Sequence, residues 1–156
     1  MNDDKKFLGR AVEIALKEID NGAGPFGAVI TSDGKIISEA VNRVVLTNDP
    51  TAHAEIIAIR EAALTLNSHD LSGCTLYTSC EPCPMCLGAI YWAGIKKVVY
   101  DCDRTDAAAA GFNDSMIYDE IVKPPADRKI VFRRLSDSGG KEIFRSWTGK
   151  ENKIPY

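Results

Sequence analysis

The sequence predicts a single α/β domain, a sheet layer with helices packed on it. Three observations predict it. The chain of 156 residues is 45% apolar and 26% charged, an ordinary composition for a globular protein. That length buries enough surface to hold a core without disulfide or metal staples. Strand patterns alternate with helical ones from residue 24 to residue 100, which implies an α/β layer with parallel pairing in its second half.

The elements follow in order. Asp3 and Asp4 favour a helix start, and Phe7, Leu8, Ala11, Val12, Ala15, Leu16 and Ile19 recur at helical spacing until Gly22 and Gly24 end the run. Phe26 to Ile30 reads as a short buried strand. Asp33-Gly34 is a hairpin turn signal, and Lys35 to Ala40 returns as the partner strand. Asn48-Asp49-Pro50-Thr51 combines breaker and cap chemistry. His53 to Leu66 then predicts a helix, apolar nearly all round (Ile56, Ile57, Ile59, Ala62, Ala63, Leu66) and therefore expected to be buried. Cys74 to Thr78 is a third strand. Pro84 to Ala93 is a helix closed by Gly94, and Val98 to Tyr100 the core of a fourth strand. Beyond Tyr100 the pattern weakens to a helix at Ser115 to Val122, a fifth strand at Ile130 to Leu135, and a last short helix at Lys141 to Trp147. No linker divides the chain, so residues 1–156 are expected to form one domain.

Composition excludes several classes. No stretch approaches the roughly 18 apolar residues of a membrane span, and the opening MNDDKKFLGR lacks a signal peptide's pattern. The protein is expected in the cytoplasm, away from membranes. The net charge of -3 argues against broad nucleic-acid binding, although residues 128–153 hold eight Lys or Arg against three acids. That stretch could touch phosphate or be a solvated helix face. Of the five cysteines, Cys80, Cys83 and Cys86 fall within seven residues while Cys74 and Cys102 stand apart. An odd count so clustered points to metal or catalysis rather than a disulfide framework.

The strongest signal is His53-Ala54-Glu55 followed by Pro82-Cys83-Pro84-Met85-Cys86, a pattern that matches the H-x-E and P-C-x-x-C mark of zinc deaminases. The chemistry supports the match. Cys83 and Cys86 lie three apart at a helix start, so their sulfurs share one face, and a helix N-terminus stabilises the thiolate that binds zinc. His53 also opens a helix. Three ligands leave a tetrahedral ion its fourth position for water, whose pKa the metal lowers toward about 7. Two thiolates leave that Zn²⁺ core neutral. Glu55, costly to bury without a partner, would take the water's proton and deliver it to the ring nitrogen and the leaving amine. The resulting hydroxide on zinc is the nucleophile. A closed structural site of Cys80, Cys83, Cys86 and His53 is the plainer alternative, and would make the chain a zinc-stabilised interaction module.

At these residues the sequence resembles the cytidine deaminase-like superfamily, and within it the small bacterial guanine deaminases. The resemblance covers Gly24-Pro25-Phe26-Gly27-Ala28-Val29, the stretch Asn48 to Glu55, the stretch Thr78 to Ala93, Thr105-Asp106-Ala107-Ala108 and Gly111-Phe112-Asn113-Asp114-Ser115. It implies a three-layer α/β/α sandwich on a five-stranded mixed sheet, and zinc-dependent deamination of guanine to xanthine and ammonia. It also implies a homodimer in which the C-terminal segment, about 115–156, is swapped onto the partner's site. By the same resemblance Asn42 binds the purine edge, Phe26, Trp92 and Phe112 line or stack on the base, Ala54 joins the substrate set, and Asp114 and Tyr156 hold the ring edge away from zinc. Each has a plainer reading: the aromatics as core, Asn42 as a turn residue, Asp114 as a helix N-cap, Tyr156 as a frayed end. The zinc motif is shared with deaminases of cytosine, guanosine and adenosine in tRNA, which stay open as alternatives.

Overall fold

A computed structural model describes residues 3–136 and 138–155, and Tyr156 therefore lies outside the described residues. The chain falls into two compact units, Met1–Asp114 and Ser115–Tyr156.

The first unit opens with helix α1 (Asp3–Ile19), whose first turn carries Asp3 and Asp4 and whose buried face is Phe7, Ala11, Ile14 and Ala15. Strands β1 (Gly24–Ser32) and β2 (Lys35–Asn42) form an antiparallel hairpin. Its two-residue turn sets Asp33 at φ 48° and Gly34 at φ 72°, the left-handed pair that matches strand twist. A short helix α2 (Val44–Thr47) leads to α3 (Ala54–Leu66), then β3 (Cys74–Cys80), α4 (Pro84–Trp92), β4 (Lys97–Cys102) and α5 (Arg104–Ala109). The sheet order is β2-β1-β3-β4, with β1 and β3 antiparallel and β3 and β4 parallel. The predicted parallel half is thus the β3-α4-β4 crossover.

The strands alternate their side chains between two cores. Ala28, Ile30 and Leu76 face Ala54, Ala58 and Ala62 of α3 and Ile90 of α4, while Val29 and Tyr77 face Phe7, Ala11 and Ile14 of α1. Helices therefore cover both faces of the sheet. Gly27 to Thr31 of β1 are all buried, as a strand covered on two sides requires. Glycine at 27 has a specific cause: a Cβ there would stand 2.2 Å from the Ala11 carbonyl oxygen, so α1 could not lie this close to the sheet. Arg10 on α1 holds Glu39 on β2 through Nε at 2.8 Å and Nη2 at 2.9 Å, which keeps the Glu39 carboxyl below its ordinary pKa.

Two expectations are corrected. The sheet among the described residues has four strands and not five: Ile130 to Leu135 joins no ladder and is irregular. A strand exists through pairing, and β-propensity alone does not provide a neighbour. Helix α3 is not buried all round: Leu64 is 81% exposed and Leu66 lies at the surface, while Ala54, Glu55, Ile56, Ala58 and Ala62 carry the buried stripe. The second unit holds α6 (Ser115–Ile121), a 3-10 turn (Pro125–Asp127) and α7 (Gly140–Thr148). None of its described residues is buried. No helix among the described residues is long and apolar enough to cross a membrane.

Candidate active site

Two helix starts converge on the metal motif. His53 is the N-cap residue of α3 and Cys83 that of α4, both with extended backbone (φ -69°, ψ 153° and φ -64°, ψ 168°). Their carbonyls accept the first helical bonds, from Ile57 N–H at 3.0 Å and Leu87 N–H at 2.8 Å. Neither side chain caps its own helix, so the imidazole and the thiol stay available for another partner. Pro84 occupies the first turn of α4, where its missing N–H costs nothing. Cys86, one turn in, is fully buried.

The geometry fits zinc. His53 Nδ1 lies 3.6 Å from Cys83 Sγ and 3.5 Å from Cys86 Sγ. A tetrahedral ion with ordinary Zn–S and Zn–N bonds sets its nitrogen and sulfur ligands about 3.6 Å apart. The three donor atoms lie within 4.8 Å of one another, the one such group among the described residues. Hydrogen bonding from Cys86 and the neighbouring His53 hold the Cys83 thiol down at about 4. The Cys83 thiolate and burial push Cys86 up, so without metal the two thiols share one proton as a coupled pair. A divalent cation replaces that proton and permits both thiolates.

Cys80 does not join them. Its Sγ turns to the Asp103 carbonyl at 3.5 Å, and burial raises its thiol to about 11. The closed Cys₃His set is therefore not assembled, and the three-donor set leaves a coordination position open.

Glu55 sits in the first turn of α3 with only 6% of its surface exposed. Burial is the main cause that raises its carboxyl above the ordinary value, and the nearby Cys83 thiolate adds to it. A carboxylate in a low-dielectric site two residues from a metal ligand is poised for proton transfer.

The other expected residues take the following places in the fold. Asn42 ends β2 as a buried strand residue rather than a turn. The Arg43 N–H to Ala52 carbonyl bond of 2.9 Å ties that strand end to the loop before His53. Asn42 Oδ1 accepts the Val44 N–H at 3.2 Å. Ala54 is fully buried in the core between sheet and helix. Phe26 and Phe112 form an edge-to-face pair, centroids 4.9 Å apart at 84°. Trp92 lies on α4 at 73% exposure, and Asp114 closes the first unit, half-buried. An apolar cavity of about 240 Å³ backs the Phe26–Phe112 pair against Leu16 and Ile19 of α1, but it contains none of the metal-motif residues. Sequence reasoning missed the capping box of α5, in which Asp103 accepts from Thr105 and Asp106 N–H and Asp106 returns the bond. Its D-x-x-D spacing was the available signal.

Comparisons with known proteins agree with this geometry. Residues 1–102 match the family described as the cytidine and deoxycytidylate deaminase zinc-binding region. The chain is 53% identical to a guanine deaminase of Bacillus subtilis over 96% of its length and 97% of that protein's. It is 46% identical to a tRNA-specific adenosine deaminase of Aquifex aeolicus over 60% of its length and 62% of that protein's. The fold superposes on the crystal structure of a Bacillus subtilis guanine deaminase with a TM-score of 0.94 at 52% identity, covering 97% of this chain and 98% of that one. With the His/Cys/Cys donor set in place, the chain belongs to the cytidine and deoxycytidylate deaminase family of zinc-dependent hydrolytic deaminases.

Proposed function

We propose that this protein adds water across the bond between the amine-bearing carbon of guanine and its ring nitrogen, and releases xanthine and ammonia. The observation that carries the deaminase reading is the buried Glu55 carboxyl beside a three-donor set of His53, Cys83 and Cys86. When bound there, zinc supplies a water acidic enough to react at neutral pH. Glu55 then does the proton work: it accepts the water's proton, delivers a proton to the ring nitrogen, and assists the departing amine. Its raised pKa suits a group that must both take and give a proton.

Guanine as substrate is supported by the extent of the likeness. The guanine deaminase match spans 96% of the chain, whereas the Aquifex tRNA deaminase match spans 60%. Asn42 contacts the base, Phe26, Phe112 and Trp92 wall it, and Asp114 and Tyr156 hold the edge away from the metal, while Ala54, with no exposed surface, belongs to the core and not to the contact set. A purine so rich in donors and acceptors lets buried polar partners discriminate strongly.

The protein works as a cytoplasmic homodimer in which residues 115–156 of each copy cover the other's site. Two features support this. No described residue after Asp114 is buried, and Val131 is 90% exposed and Phe144 73%, apolar surface that calls for a cover. The unit boundary at Ser115 coincides with the start of that segment. All five cysteines are unpaired, as a reducing compartment requires.

The test is ammonia release by the zinc-loaded protein with guanine, guanosine, adenine, cytosine, cytidine and a tRNA anticodon stem-loop side by side. Turnover of guanine alone is expected. Turnover of another member of the set and not guanine would keep the chemistry and overturn the substrate. Inactivity on all of them with zinc tightly held would point to a structural site. Sedimentation equilibrium reads the dimer directly.

A further inference from the structure

Residue 24 is glycine for the sake of Asn42. The two are direct partners in the β1–β2 ladder, set off from the regular pairing by an irregularity between Gly24 and Gly27. Gly24 does not adopt the left-handed backbone conformation that favours glycine, unlike Gly22 or Gly34, so the demand is for space. A Cβ at position 24 would lie 2.8 Å from Asn42 Oδ1, 2.9 Å from its Cγ and 3.1 Å from its Cβ. Rotating the Asn42 side chain would withdraw the first two atoms but not the third, so the strand end itself would have to yield.

The Asn42 amide is also fixed in its sense. Its Oδ1 accepts the Val44 N–H at 3.2 Å, which directs Nδ2 the opposite way. An amide held so offers donors, and a purine ring offers acceptors. The same three-residue run, Gly24-Pro25-Phe26, carries the ring that packs on Phe112. A shift at residue 24 would therefore displace both the amide and one aromatic wall.

We infer that Gly24 is a positioning residue for base recognition: its missing side chain reserves the space in which the Asn42 amide is held with its donors toward a ring acceptor of the substrate. The inference rests on the reading of Asn42 as a base contact. It assigns Gly24 to affinity, not to the proton chemistry at Glu55.

A double-mutant cycle tests it with guanine as the probe, using G24A, N42G and G24A/N42G as zinc-loaded protein, with KM, kcat, zinc content and thermal midpoint recorded for each. G24A is expected to raise KM about tenfold, the worth of one well-placed hydrogen bond, with kcat and zinc content near wild type. N42G should raise KM by a similar factor. The G24A effect on both KM and midpoint should vanish in the N42G background, where nothing remains to collide with. Equal G24A effects in both backgrounds would overturn the proposal, as would an unchanged KM in G24A. If G24A fails to fold, a folded G24A/N42G upholds the collision and an unfolded one overturns it. If N42G keeps the wild-type KM, the base-contact reading falls and the proposal falls with it. If N42G raises KM and G24A does not, the proposal alone falls.

Discussion

Replacing Glu55 by glutamine separates chemistry from architecture. The substitution keeps the shape of a side chain that is only 6% exposed and removes its ability to carry a proton. Positioned general acid–base catalysis contributes about 10²–10⁴ in rate, or roughly 2.7–5.5 kcal/mol of barrier. A loss of that size in kcat is expected, with full zinc content because His53, Cys83 and Cys86 are untouched. Stability should move the other way. Burial raises the Glu55 carboxyl above its ordinary value of 4.5. A raised acid favours the fold below its unfolded pKa, and that contribution is lost as pH rises through the folded value. At neutral pH the zinc-free wild type has lost that contribution, a cost that E55Q does not carry. E55Q should therefore be more stable, by on the order of 1 kcal/mol or about 2–4 °C for a chain of this size. The advantage should shrink as pH falls toward 4.5, the reference value for the carboxyl. Steady-state ammonia release, metal analysis and paired melting curves measure all three. A kcat within tenfold of wild type would refute the assignment of Glu55, and a zinc-depleted E55Q would refute the separation of roles.

Other expectations follow from the same geometry. Cys83→Ser removes a donor held 3.6 Å from the His53 nitrogen and should abolish stoichiometric zinc and turnover together. Cys80→Ser, whose sulfur turns instead to the Asp103 carbonyl, should keep both within about twofold, as metal analysis and ammonia assay will show. Gly27→Ala places a methyl 2.2 Å from the Ala11 carbonyl oxygen. The cost should reach about 3 kcal/mol or more by chemical denaturation, at the top of the overpacking range because backbone cannot step aside like a side chain. The melting temperature should also fall at both pH extremes. Asp4, held low by Lys97 and Tyr77, contributes stability that is lost as pH drops through its folded value. Tyr77, raised from 10.0 to about 12 chiefly by burial, contributes stability that fades between those two values as pH climbs. D4N should flatten the acid arm relative to wild type, and Y77F the alkaline one.

The sequence exposes some of this design better than the rest. The β3-α4-β4 crossover is legible because strand, motif, helix and Gly94 follow without interruption, and a short crossover admits one pairing. The ligand set is legible because its spacing is local: Cys83 and Cys86 share a helix turn, and His53 announces itself by the H-x-E run. Ile130 to Leu135 misleads because its β-branched and aromatic run Ile130-Val131-Phe132 suits a sheet surface, while the neighbour that would make it a strand is a tertiary fact. Leu64 misleads for a related reason: α3 is apolar on more sides than the sheet can cover. Asn42 and Gly24 are legible only in pairs. Each is an ordinary residue in the sequence, and their relation arises from a register that brings positions 18 residues apart into contact.

The placement of His53 and Cys83 as cap residues of α3 and α4 makes the metal a fastener of two helix ends as well as a reagent. Losing it would unclip the opening turns of both helices before anything else. Amide exchange should therefore accelerate first at Ile57 and Leu87, whose N–H groups bond to those two carbonyls, while Val29, Ile30 and Leu76 in the sheet stay slow. An enzyme built this way reports its own loading: the apo form keeps its core and frays where it would have worked.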